Sequence, residues 1–95
     1  MKITVAGLGP GDKKYILPIV QTALVKADVV IGYDYYFQFG KEYFKEDAEL
    51  IAMPLGKEEA RAEVAIQKAK EGKYVVMIGS GAVSYTHLRA HETRH

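Results

Sequence analysis

Ninety-five residues, 48% hydrophobic and 26% charged with a formal net charge of +1, describe one small globular domain and exclude a disordered chain or a strongly basic nucleic-acid surface. The absence of Cys excludes disulfides, thiolate metal sites and Cys nucleophiles, and no apolar run approaches the roughly 20 residues of a membrane span. The apolar stretch at the N-terminus is too short for a signal peptide, so a cytoplasmic location is expected, with no nucleic acid and no membrane among its partners.

Residues 3–8 form a short apolar run with β-branched Ile3, Thr4 and Val5, closed by Gly7-Leu8-Gly9-Pro10-Gly11. An unbroken apolar run ending in glycines predicts a strand buried on both faces. Residues 12–17 connect it to a helix that opens at Pro18, where the missing N–H costs nothing. Ile19, Val20, Ala23, Leu24 and Ala27 then recur at helical spacing, and Asp28 ends the helix. Val29, Val30 and Ile31 make a second buried strand, stopped by Gly32. Residues 33–44 are crowded with aromatic side chains and split by Gly40 into two short helical pieces. Residues 49–53 predict a third strand, and Pro54-Leu55-Gly56 a turn. The plainest helix covers residues 57–71. Ala62, Ala65, Ile66 and Ala69 form its apolar stripe, with Glu58, Glu59 and Glu63 early and Lys68 and Lys70 late, as the helix dipole prefers. Gly72 stands where a terminating glycine belongs. Residues 74–78 are a fourth strand, ending in Gly79-Ser80-Gly81.

Strands alternating with helices predict an α/β fold built on a parallel sheet. Such sheets bind ligands at the carboxyl ends of their strands, which here carry glycine-rich turns and the aromatic segment. Gly7, Gly9 and Gly11 let backbone amides approach a ligand with no Cβ in the way; the plain alternative is a tight turn with no ligand. The pattern is not the dinucleotide fingerprint, whose third glycine stands one residue later. Asp34, just past the second strand, nonetheless keeps a small dinucleotide-binding module as an alternative. Tyr33, Tyr35 and Tyr36, nearest the strand end, are candidates to wall a flat, conjugated ligand, while the remaining rings are expected in the core. Arg61 is the only Arg before residue 83. Its segment reads first as a solvated helix face, and second as a guanidinium that grips a substrate carboxylate.

His87, His91 and His95 recur at i, i+4 and i+8 and would share a helix face, the spacing of a metal site. No metal is expected there, because residues 83–93 resemble the translation of a transposase-type sequencing-library adaptor. Without residues 83–95, which hold two Arg and one Glu, the remaining body is neutral.

Four segments carry a family resemblance: Val5-Ala-Gly-Leu-Gly-Pro-Gly-Asp12, Ala27-Asp-Val-Val-Ile-Gly-Tyr33, Gly56-Lys-Glu-Glu-Ala-Arg61 and Ala65-Ile-Gln-Lys-Ala-Lys-Glu-Gly-Lys73. Together they resemble the tetrapyrrole (corrin/porphyrin) methylases, and within them the branch that methylates precorrin-3B at C17. The resemblance implies the parallel-sheet N-terminal domain of that fold, truncated after the fourth strand. Residues 1–81 form that incomplete domain, and residues 82–95 are expected to be a non-native, disordered tail. It also implies an S-adenosylmethionine-dependent methyltransferase of cobalamin biosynthesis, acting on precorrin-3B or cobalt-precorrin-3 at C17 with ring contraction, and a homodimer when full length. Another precorrin methyltransferase of the same family is the nearer alternative. By carry-over, Pro10, Ser80 and Gly81 become contacts of the methyl donor, S-adenosylmethionine. Gly7, Gly9, Gly11, Asp12, Tyr33, Tyr35 and Arg61 become contacts of the tetrapyrrole. The family continues after Ser-Gly with Asp-Pro-Gly, whereas Ala82 follows Gly81 here. As a fragment the chain is expected to be inactive and to expose apolar surface. Catalytic side chains are not assigned.

Overall fold

The structure, a computed structural model, describes residues 2–7, 18–54, 56–79 and 92–94. In chain order these form β1 (Lys2–Gly7), α1 (Pro18–Lys26), β2 (Val29–Gly32), α2 (Asp34–Gly40), a 3₁₀ turn (Lys41–Tyr43), β3 (Glu49–Ala52), α3 (Glu58–Lys70), β4 (Tyr74–Gly79) and β5 (Glu92–Arg94). The strands pair in parallel in the order β3-β2-β4-β1-β5.

The chain steps outward from β1 to β2 and β3, then returns to set β4 between β1 and β2. Parallel crossovers keep one hand, so reversing direction across a sheet moves the connecting helix to the opposite face. The packing follows that rule. On one face, Val20, Ala23 and Leu24 of α1 and Phe37 of α2 bury against Ala6, Val30, Val76 and Ile78. On the other, Ala62, Ala65 and Ala69 of α3 lie against Ile3, Val29, Ile31, Val75 and Met77. Alternate residues of β2 and β4 thus serve different cores, which is why both strands are apolar without a break. β3 differs from these two strands. It is an edge strand, and Glu49, Leu50 and Ala52 are exposed with only Ile51 half-buried.

With helices on both faces, the large apolar side chains left exposed among the described residues are Ile19, Val25, Tyr35 and Leu50. Of the tail expected to be disordered, the described residues are Glu92–Arg94. There the backbone is extended and pairs in parallel with Ile3, Thr4 and Val5.

Two features fix the strands relative to one another. Gly32 lies so close to β4 that a Cβ would stand 2.5 Å from Ile78 Cγ1 and 2.9 Å from the Ile78 carbonyl oxygen. At the amino ends, Asp28 does more than end α1. Its carboxylate accepts from the Tyr74 N–H (2.8 Å) and from Lys45 Nζ (2.5 Å). Its own N–H donates to the Tyr74 carbonyl, and its carbonyl accepts from the Glu49 N–H, both at 2.9 Å. The Lys45 ammonium, and after it the Tyr74 amide, hold the Asp28 carboxyl below its ordinary range; the same bond raises Lys45.

Candidate functional site at the carboxyl ends of the strands

β1 and β4 end together, with Gly7 paired in register with Gly79, and β2 ends in Gly32. Three neighbouring strands therefore end in glycine at the carboxyl edge. β2 and its neighbour β3 send their following helices to opposite faces of the sheet. In open α/β sheets that divergence marks the place where ligands sit.

Tyr33 leaves β2 at this point. It caps α2 in an extended conformation (φ −70°, ψ 132°) and makes no side-chain capping bond. Its half-buried ring lies 5.9 Å from Tyr36, edge-on, and 6.4 Å from Tyr35. Tyr35 is 55% exposed and meets Tyr36 at 5.8 Å and Phe39 at 5.2 Å, both edge-on. Edge-to-face pairs at such separations are favourable beyond their buried area, because a ring's positive edge meets its neighbour's negative face. Tyr36 has a half-buried ring that packs against the α1 core together with Phe39, Tyr43 and Phe44. The spacing from the strand end had grouped it with Tyr33 and Tyr35, but the turn of α2 rotates it inward.

Arg61 lies in the first turn of α3, where its N–H donates to the Lys57 carbonyl at 2.9 Å. It is 5% exposed, so the solvated-face reading of this position does not hold. A cation at the amino end of a helix opposes the helix dipole, and burial adds to that cost. An anionic or strongly accepting surrounding is what such a guanidinium requires. Asp34, the residue behind the dinucleotide alternative, opens α2 and is exposed.

Gly9, Pro10, Gly11, Asp12, Ser80 and Gly81 lie outside the described residues, as do His87, His91 and His95. Among the described residues no group of three or more His, Asp or Glu is placed to hold a metal ion, and no helix is long and apolar enough to cross a membrane. Of the candidates, the structure thus gathers Gly7, Tyr33 and Tyr35 on segments at the carboxyl edge and sets Arg61 at the start of the helix that follows β3. Sequence reasoning missed the close approach of Gly32 to Ile78. Its only trace was a glycine at the end of an apolar run.

Comparison with known proteins bears on the same elements. The family model of the Tetrapyrrole (Corrin/Porphyrin) Methylases matches residues 2–92. The chain is 31% identical over 80 residues to a cobalt-factor III methyltransferase of Priestia megaterium, covering 84% of this chain and 15% of that protein. It is 36% identical over 86 residues to a uroporphyrinogen-III C-methyltransferase of Methanocaldococcus jannaschii, covering 84% of this chain and 36% of that one. Among solved structures, the methyltransferase CobJ superposes with a TM-score of 0.78 at 32% identity, over 94% of this chain and 40% of that one. The cobalt precorrin-4 methyltransferase CbiF gives 0.70 at 29% identity, over 81% and 33%. The chain therefore spans well under half the length of these relatives. With a family match running from β1 into β5, and with the same sheet and helices recurring in solved relatives, the chain belongs to the tetrapyrrole methylase family.

Proposed function

We propose that the chain forms part of an S-adenosylmethionine-dependent methyltransferase of cobalamin biosynthesis that acts at C17 of precorrin-3B or cobalt-precorrin-3, with ring contraction. The observation that carries this reading is the family match over residues 2–92 on a sheet whose glycine-ended strands β1, β2 and β4 meet at one edge. The cobalt-factor III relatives, among them a probable C(17)-methyltransferase of Salmonella typhimurium at 33% identity, favour the C17 position.

The paired ends Gly7 and Gly79 suit a methyl donor that needs close backbone contact, with Pro10, Ser80 and Gly81 as its proposed contacts. S-adenosylmethionine supplies an electrophilic methyl group on sulfur. As the ring carbon attacks, the carbon–methyl bond forms and the sulfur–methyl bond breaks, leaving the sulfur neutral. That displacement requires alignment and exclusion of water rather than a protein nucleophile. In this reading Gly7, Gly9, Gly11 and Asp12 border the tetrapyrrole, Tyr33 and Tyr35 flank its plane, and Arg61 faces one of its carboxylates. The 95-residue chain by itself binds ligands without turnover, and the whole enzyme works as a homodimer in the cytoplasm.

A hybrid enzyme tests the assignment. Residues 2–79 replace the matching segment of the Salmonella typhimurium relative and, separately, that of the Methanocaldococcus jannaschii relative. Methylation of cobalt-factor III at C17 by the first hybrid, with none of uroporphyrinogen III by the second, supports the reading. The reverse pattern assigns the chain to uroporphyrinogen III, the second reading, which the 36% identity to that relative favours. Loss of both activities in folded hybrids overturns the methyltransferase assignment for this segment.

A further inference from the structure

We propose that Tyr36 is a positioning residue, holding Tyr33 and Tyr35 so that the exposed face of Tyr35 forms a fixed stacking platform for a flat tetrapyrrole macrocycle. The inference rests on the tetrapyrrole reading above and adds to it a division of labour among the rings.

Tyr36 is the one ring that is edge-on to both of the others, at 5.9 Å and 71° from Tyr33 and at 5.8 Å and 67° from Tyr35. Its body packs against the α1 core, so it joins the buried cluster of Leu24 and Phe37 to the two rings at the strand end. Phe39 does the same for Tyr35 alone, one helical turn on, at 5.2 Å and 74°. An aromatic ring 55% exposed on a seven-residue helix would ordinarily sample several rotamers. Here it meets two core-packed rings in T-shaped contacts, while more than half of the residue stays exposed. Pre-ordering a ring in this way removes part of the entropy that a stacking contact otherwise costs. The occupant is argued from chemistry. The platform is aromatic, its helix follows the glycine end of β2, and the matched family is that of the tetrapyrrole methylases, whose conjugated substrates stack offset on aromatic faces.

The test is a Soret-band titration of the 95-residue chain with uroporphyrin, with thermal unfolding of each variant as a control. Tyr35→Leu weakens binding by roughly three- to tenfold with unchanged stability. Tyr36→Leu weakens binding by a similar factor, Tyr36→Phe binds as the parent does, and the double variant Tyr35→Leu/Tyr36→Leu binds no more weakly than Tyr35→Leu. The Phe rescue and the non-additivity separate positioning from general destabilisation. Binding by Tyr35→Leu equal to the parent overturns the inference and leaves the tetrapyrrole reading standing, as does a double variant in which the two losses multiply. Failure of the parent chain to bind uroporphyrin overturns the tetrapyrrole reading for this segment, and the inference with it.

Discussion

Replacing Gly32 by Ala tests how closely β2 and β4 approach at the carboxyl edge. The added Cβ would stand 2.9 Å from the Ile78 carbonyl oxygen, where a relaxed carbon–oxygen contact is about 3.3 Å or more. It would also stand 2.5 Å from Ile78 Cγ1, about 1 Å inside ordinary carbon–carbon contact. Ile78 has little freedom to yield, because its side chain is buried in the α1 core and its carbonyl belongs to a central strand. Relief must come from parting the strands. Overpacking of this kind costs about 2–3 kcal/mol, toward the upper end of its usual range. For a domain of this size that corresponds to a fall in Tm of roughly 10–20 °C. Urea and thermal unfolding followed by circular dichroism give the measurement. Gly72→Ala serves as the control. Gly72 has φ +90° and open space around the missing Cβ, so its cost is that of the backbone alone, about 1 kcal/mol. Truncating Ile78 to Ala in the Gly32→Ala background removes the clash with Cγ1 but not the one with the carbonyl, so the double variant is less unstable than the two losses combined. A Gly32→Ala protein within 0.5 kcal/mol of the parent would refute the reasoning.

Three further outcomes follow from the same packing. Asp28 has a carboxyl pKa below its ordinary value of 3.8, so the stability it confers is present above that value and is lost as pH falls through the lower native one. Asp28→Asn should cost about 1 kcal/mol near neutral pH, the partly exposed pair being screened by solvent, and should flatten the acid limb of a stability–pH curve; an unchanged limb contradicts the assignment. Thr4 Oγ1 lies 2.6 Å from the Tyr74 hydroxyl, and Thr4 is fully buried whereas Tyr74 is only half-buried. Tyr74→Phe therefore strands a buried hydroxyl and should cost more, about 1–2 kcal/mol, than Thr4→Val, which leaves a phenol in reach of water; equal losses in urea melts would oppose this. Finally, Ala65→Leu places a larger side chain where α3 meets β1, β2 and β4, and should destabilise by about 1–3 kcal/mol, while the same change at exposed Gln67 should be near neutral.

The elements that were legible in the sequence are those whose environment repeats along the chain. β2 and β4 read as strands because both faces are buried, and α3 reads as a helix because Ala62, Ala65 and Ala69 share one stripe against the sheet. What was not legible depends on partners distant in sequence. The exposure of β3 follows from its place at the sheet edge, which no local pattern encodes. Arg61 read as solvated because a charged residue beside Glu58 and Glu59 ordinarily is, yet it is buried, which the local charge pattern does not encode. Tyr33, Tyr35 and Tyr36 read alike by their nearness to a glycine-ended strand, and proximity in sequence does not separate them, since the helix turn decides which ring meets the core.

The strand order has a consequence for how the chain reaches its native state. β1 pairs with β4, Lys2 against Tyr74, and among the first four strands β1 has no other partner. During synthesis, therefore, β1 and α1 leave the ribosome long before the strand that completes their core, and the β2–β3 pair is the only section of the sheet able to form early. Pairing across that separation must close a long loop before its contacts form, so slow folding governed by the arrival of β4 is expected.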